Sequence, residues 1–135
     1  MTNEYKNKYD DKTEEEKKVI ALAMHLCTGI YEDKTEEEKK ALIEEATKAI
    51  EDYDYQVYTD EEADEKWDEE LDNYIDEYIM PEFEKVLPNM WVYFDSEALK
   101  RDARYDGRGH SLSRYDGVEN YEEVDQETYY IYRQN

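Results

Sequence analysis

Tyr9-Asp10-Asp11-Lys12-Thr13-Glu14-Glu15-Glu16-Lys17-Lys18 recurs 22 residues later as Tyr31-Glu32-Asp33-Lys34-Thr35-Glu36-Glu37-Glu38-Lys39-Lys40. Each copy holds a capping box, Thr13 with Glu16 and Thr35 with Glu38. In this motif the hydroxyl and the carboxylate reciprocally satisfy free amides at a helix start. Acids ahead of lysines also suit the helix dipole. The spacing predicts helices from Thr13 to about Thr28 and from Thr35 to about Asp52, with Gly29 as the stop of the first. Val19, Leu22, Ala23 and Leu26 share one face, as do Leu42, Ala46, Ala49 and Tyr53. Two copies are too few for a solenoid, so an antiparallel helical pair is expected.

Working outward, a third capping box, Thr59 with Glu62, opens a helix predicted to run to about Met80, before Pro81. Ala63, Trp67, Leu71, Tyr74, Ile75, Tyr78 and Ile79 form its apolar stripe and are read as core. A short helical piece, Glu82 to Leu87, is expected between Pro81 and Pro88. Asn89 to Phe94 reads equally as strand or helix, and Asp95 or Ser96 caps a helix through about Arg104. Arg104-Tyr105-Asp106-Gly107 and Arg114-Tyr115-Asp116-Gly117 then repeat ten residues apart, each Asp-Gly marking a turn. Tyr121 to Val124 and Thr128 to Arg133 read as two strands joined at Asp125 to Glu127. The expected fold class is α+β, mostly helical in its N-terminal two-thirds with a small C-terminal antiparallel β element. One domain over 1–135 is expected, made of a helical repeat pair (1–58), the acidic helix and following helices (59–104), and a turn-rich β element (105–135).

Charge sets the function classes. The chain has 39 acidic and 17 basic residues, a net −22. Acidic excess of this size in a chain poor in aromatics signals disorder. Here 15 Tyr, 2 Trp and 2 Phe supply material for a core. A folded protein so negative repels nucleic acid and anionic lipid and attracts basic surfaces. Direct nucleic-acid binding and membrane association are therefore not expected. No apolar run reaches the roughly 18 residues of a membrane span, and residues 1–12 do not read as a secretory signal. A single cysteine, Cys27, offers neither an internal disulfide nor a cysteine-built zinc site. The expected compartment is the cytoplasm. The charge is uneven: Glu51 to Glu84 holds 16 acids against Lys66 alone, whereas every arginine lies at or after Arg101.

The candidate site is the acidic helix. Asp60, Asp64, Asp68, Asp72 and Asp76 recur every fourth residue. Along the helix the net charge is about one per 3.3 Å at 1.5 Å rise per residue, against one per roughly 3.4 Å on a strand of B-DNA. With Glu61, Glu65, Glu69 and Glu77, and with Asp52, Asp54, Glu82 and Glu84 flanking, these carboxylates are expected to stand where phosphates sit. A merely solvated face is the competing reading, but such faces usually mix signs. Asp52, Asp54, Asp60 and Glu62 do not make an EF-hand: the glycine position is Val57 and the twelfth position Ala63. No metal or cofactor is expected. His25 and Cys27 are read as core. His110, in Arg108-Gly109-His110-Ser111, suggests either phosphate or acid–base chemistry or a loop held by salt bridges to Asp106 and Asp116; the second is preferred. No Walker loop, dinucleotide fingerprint or nucleophile elbow is present, and the chain is not read as an enzyme.

Pro88-Asn89-Met90-Trp91-Val92-Tyr93-Phe94-Asp95-Ser96-Glu97-Ala98-Leu99-Lys100-Arg101-Asp102 resembles the C-terminal segment of the ArdA antirestriction proteins, with its aromatic-Asp-x-Glu-Ala run followed by Arg-Asp. Tyr129-Tyr130-Ile131-Tyr132-Arg133-Gln134-Asn135 is similar to that family's ending. Asp106 to Gly117 looks more like a tail found on small phage proteins. The likeness covers about a third of the chain; the N-terminal repeat does not match. The resemblance implies a DNA-mimicking inhibitor from a phage or mobile element, acting in the host bacterium, and a homodimer. The expected partner is a host DNA-binding defence protein, a restriction enzyme or a Cas nuclease. The alternative is an acidic structural or adaptor protein without mimicry.

Overall fold

The computed structural model describes residues 12–135; Tyr9, Asp10 and Asp11 of the first repeat copy lie outside them. All three capping boxes are formed. The first and second open α1 (Glu14–Leu26) and α2 (Glu36–Glu51), where Glu16 and Glu38 amides donate to Thr13 and Thr35 Oγ1 at 3.1 Å. Each such cap contributes about 1 kcal/mol to its helix. α1 ends before Gly29: Cys27 is already extended, and Gly29 turns the link with φ +89°. A 3-10 turn, Tyr31–Asp33, precedes α2.

Four consecutive residues of α1, Ile20 to Ala23, are buried, more than one amphipathic face allows. The reason is that α1 is covered on two sides, by α2 and by a sheet. Alanines at 21, 23 and 46 let those elements approach closely. The sheet has three antiparallel strands, β1 (Tyr55–Thr59), β2 (Asn120–Val124) and β3 (Glu127–Arg133), in the order β1-β3-β2. Val57 pairs with Ile131 and Tyr58 with Tyr130, which sets the two faces. Val57, Val124, Tyr129 and Ile131 pack on α1 and α2. Tyr58, Tyr130 and Tyr132 point the other way, onto Ala63, Trp67 and Leu112. The sheet is thus the middle layer between two helical layers.

The expected α+β class holds, with helices dominant and a small antiparallel sheet near the C-terminus. The β2–β3 hairpin turns at Asp125 and Gln126, both at positive φ (55° and 63°), the geometry of a tight hairpin. The sequence reading missed β1, which lies inside the segment assigned to the helical repeat pair. Tyr55-Gln56-Val57-Tyr58-Thr59 is short, and its partner strand is more than 70 positions away. Thr59 ends this strand and caps α3 (Asp60–Tyr74) in the same residue.

α3 does not run on to Met80. After Tyr74 the backbone widens into a π turn, Ile75–Ile79, in which the Met80 amide bonds Ile75 O, and helix resumes as α4 (Met80–Val86). Pro81 explains the widening. It lacks an N–H, and in a regular helix its ring would clash with the carbonyl of Glu77. The chain thus passes the proline instead of stopping there. Asn89, at φ 65°, and a 3-10 turn at Trp91–Tyr93 follow, so the ambiguous segment is neither strand nor α-helix. α5 (Ser96–Ala103) is capped by Asp95, whose carboxylate accepts from the Ala98 amide at 3.0 Å. Arg108 to Leu112, read as loop, is a short helix, α6. Gly109 lets α6 seat: a Cβ there would lie 2.6 Å from the Glu119 amide nitrogen and 2.8 Å from Gly117 O.

Two tyrosines read as core, Tyr74 and Tyr78, are not: they are 52% and 62% exposed, and Tyr53, placed on the apolar face of the second helix, is 73% exposed. Tyr53 sits at φ 60° beyond the end of α2, and the π turn swings Tyr78 off the buried stripe of Ala63, Leu71 and Ile75. His25 and Cys27 are half-buried rather than core, because the last turn of α1 reaches the edge of the sheet, where His25 meets Tyr55 edge-on.

Candidate functional site

At 3.6 residues per turn, each four-residue step turns a side chain by about 40° around the helix. The aspartates of α3 therefore drift from the rim of the buried stripe toward water, and the C-terminal bases meet them along that flank. Arg108 Nη1 lies 2.9 Å from both Asp60 and Asp64, while its Nε donates to Glu119 at 2.8 Å. Arg104 lies 2.8 Å from Asp68. Lys100, only 4% exposed, reaches Asp68 at 2.6 Å and Asp72 at 2.9 Å. Lys100, Arg104 and Arg108 recur every fourth residue, as the aspartates do, and run antiparallel to them. The two ladders form a charge zipper. It corrects two expectations. Asp60, Asp64, Asp68 and Asp72 are engaged within the fold instead of standing free as phosphates would. Arg108 is tied to α3 and Glu119, not to Asp106; Asp116 instead accepts from Ser113 Oγ at 2.8 Å and the Val118 amide at 3.0 Å. The matching four-residue spacing of bases and acids was the signal for this pairing.

The other candidate carboxylates divide by what they touch. Asp52 pairs with Lys48 at 3.1 Å and Glu82 with Lys85 at 3.0 Å. Asp54 accepts from the Asn135 amide, and Glu84 from the Asn89 backbone at 3.0 Å. Glu69 shares Lys66 with Glu70, each at 3.5 Å. Among the described residues no ion pair is made by Glu61, Glu65, Asp76 or Glu77, and all four are exposed. Glu61, Glu65 and Glu69 lie about 40° apart on the helix side facing away from Ala63 and Leu71. Asp76 and Glu77 continue onto the π turn. The free acidic ridge is thus glutamate-rich, and the aspartate ladder is its inner flank.

Glu62, not among the candidates, is structural. It takes the Thr59 amide at 2.9 Å and binds Lys18 of α1 at 2.8 Å, tying α3 to the first helix. His110 is exposed and lines a cavity of about 560 Å³ with Tyr74, Leu99, Asp102 and Asp106. Among the described residues no cluster of His, Cys, Asp and Glu converges as a metal site, and no helix is long and apolar enough to cross a membrane.

The zipper has a pH signature. Lys100 donating to Asp68 holds that carboxyl below its ordinary 3.8, with Arg104 adding to the effect. Hydrogen bonds to Asp68 and Asp72 in turn hold Lys100 above 10.5. A lowered carboxylate stabilises the fold above its ordinary pKa, and this is lost as pH falls through the folded value. A raised lysine stabilises below its ordinary pKa, and this is lost as pH rises through the folded value. The melting temperature should therefore be level between about pH 6 and 9 and fall below about pH 4 and above about pH 10. In Lys100→Gln the larger part of the Asp68 contribution is removed, with Arg104 alone still holding that carboxyl, so melts across pH should show a shallower acid limb. An unchanged acid limb in that variant would mean that the zipper does not govern it.

No protein-family model, curated protein or solved structure matches this chain.

Proposed function

We propose that this protein is a DNA mimic of a phage or mobile element, acting in the cytoplasm of the host bacterium. It occupies the DNA-binding groove of a host nuclease, either a restriction-modification enzyme or a CRISPR effector, and catalyses nothing itself. The observation that carries this reading is the ridge of unpaired, exposed carboxylates, Glu61, Glu65, Asp76 and Glu77, on a chain of net −22. A basic groove is the complement of such a ridge, and the overall charge steers the encounter. The zipper supports the same reading in a second way: it rigidifies the ridge, so its carboxylates enter a groove without much loss of freedom. The resemblance of residues 88–102 and 129–135 to the ArdA proteins points in the same direction.

One observation favours the alternative of an acidic structural or adaptor protein. Four of the five ladder aspartates serve the fold, so part of the helix's charge has a use without any partner. Competition decides between the two. In gel-shift titrations with purified type I restriction enzymes and Cas nucleases, added protein should strip DNA from its target with no ternary band, and less effectively as salt rises. A ternary band with the bound nuclease, or no effect on any nuclease of either class, would favour the adaptor.

A further inference from the structure

Tyr53 follows α2 at φ 60°, the left-handed position that closes a helix and that glycine occupies with least strain. The turn needs that conformation: the Tyr53 amide donates to Ile50 O at 3.1 Å and the Asp54 amide to Ala49 O at 2.9 Å. It does not need a tyrosine, and a ring 73% exposed gives little packing against the strain. That ring lines a cavity of about 440 Å³ between the end of α2, β1, α3 and α6, a volume within the range of small-molecule sites. Among the described residues Leu112 is the only aliphatic side chain in the lining; the rest, Tyr53 apart, is polar. Asp52 and Glu70 are answered by Lys48 at 3.1 Å and Lys66 at 3.5 Å. Gln56 Oε1 accepts from the Tyr58 hydroxyl, and Gln134 Nε2 donates to Leu112 O at 2.7 Å. These contacts fix both amides and leave Gln56 Nε2 and Gln134 Oε1 with no partner among the described residues. Arg114, exposed and without an ion pair among the described residues, completes the wall.

We infer that this cavity is a binding site for an uncharged saccharide, with Tyr53 stacking on a pyranose ring. Charge selects the ligand. A cation would meet Lys66 and Arg114; an anion would meet Asp52, Glu70 and the field of a chain of net −22. A neutral polyol avoids both penalties. Each of its hydroxyls donates and accepts, and the lining offers both partners: donors on Gln56 and Arg114, acceptors on Gln134, Asp52 and Glu70. The C–H face of a pyranose is apolar, and one exposed ring suits one such face. A flat heteroaromatic ligand would need apolar cover on both faces, whereas Tyr53 is the single aromatic side chain among the described residues of the lining. Gln56 and Gln134 are already held by the fold, so a ligand orders little on binding. Glu61, Glu65, Asp76 and Glu77 take no part, so this site stands or falls apart from the acidic ridge.

Amide chemical-shift mapping of the isotope-labelled full chain tests this, with glucose, galactose, mannose and N-acetylglucosamine as probes and uridine as the flat, uncharged control. At least one sugar should move the amides of Asp52, Tyr53, Gln56, Ser111 and Arg114 saturably, with Kd of about 1 mM. Uridine should leave them in place. Tyr53→Gly removes the stacking ring and should weaken binding at least about tenfold. It also relieves the left-handed strain, so its melting temperature should hold or rise. That combination separates a ligand contact from a structural role, which would lower both. Arg114→Ala should weaken binding by a similar factor with an unchanged melt. No shift of these amides at about 50 mM of any of the four sugars would overturn the inference. Binding of uridine in their place would overturn the assignment to a saccharide, and sugar binding undiminished in both variants would place it elsewhere on the chain.

Discussion

Arg108→Ala should be the most destabilising single substitution of a charged residue, lowering stability by on the order of 3 kcal/mol. The side chain is 11% exposed and serves three carboxylates at once, with Asp60 and Asp64 at 2.9 Å and Glu119 at 2.8 Å. Its guanidinium also stacks over Tyr130, 4.6 Å from the ring centroid. Removing it leaves three like charges facing one another. Asp60 and Asp64 are exposed enough to rehydrate, but Glu119 is not, and the hydroxyl of Tyr132 already donates to it. Arg108→Lys should recover only part of the loss, because an ammonium cannot reproduce the forked, stacked geometry. Arg114 is exposed and makes no ion pair among the described residues, so Arg114→Ala should change little. Thermal melts should place Arg108→Ala about 10 °C below wild type. Equal effects of the two alanine variants would mean that the zipper contributes nothing to the fold.

The second large effect is on binding. Neutralising the ridge with Glu61→Gln, Glu65→Gln, Asp76→Asn and Glu77→Gln removes four charges that have no partner in the fold. Stability should hold or rise slightly as self-repulsion falls. If these groups take the place of phosphates, each is worth about 0.5–1 kcal/mol in a basic groove, and inhibition of the target nuclease should weaken roughly 30-fold to 1,000-fold. The salt dependence should become shallower as well. The matched variant, Asp60→Asn with Asp64→Asn, Asp68→Asn and Asp72→Asn, removes the same number of charges from the inner flank. It should lower the melting temperature sharply, because buried Lys100 keeps only Glu97 at 3.9 Å and Arg108 only Glu119. Inhibition measured on whatever remains folded should then fall less than in the ridge variant. The reverse ranking would place the partner contact on the aspartate ladder and defeat the assignment of the ridge.

Glu61 and Glu65 stand one position from Asp60 and Asp64 on the same helix, and that difference marks the limit of the sequence. Helix starts were legible because a capping box is complete within three residues: Thr13, Thr35 and Thr59 each find their glutamate locally. The β2–β3 hairpin was legible for the same reason, its turn being two residues long. The acidic character needed no structure at all, since charge is a sum over residues and owes nothing to arrangement. Other features depend on neighbours far along the chain. β1 is a strand because β3 lies beside it, and Tyr78 is exposed because a π turn before Pro81 breaks the helical register. Asp68 and Glu65 are the same kind of group on the same helix. Only Lys100 of α5 and Arg104 just beyond it, some 30 to 40 positions later, make one a strut and leave the other facing water.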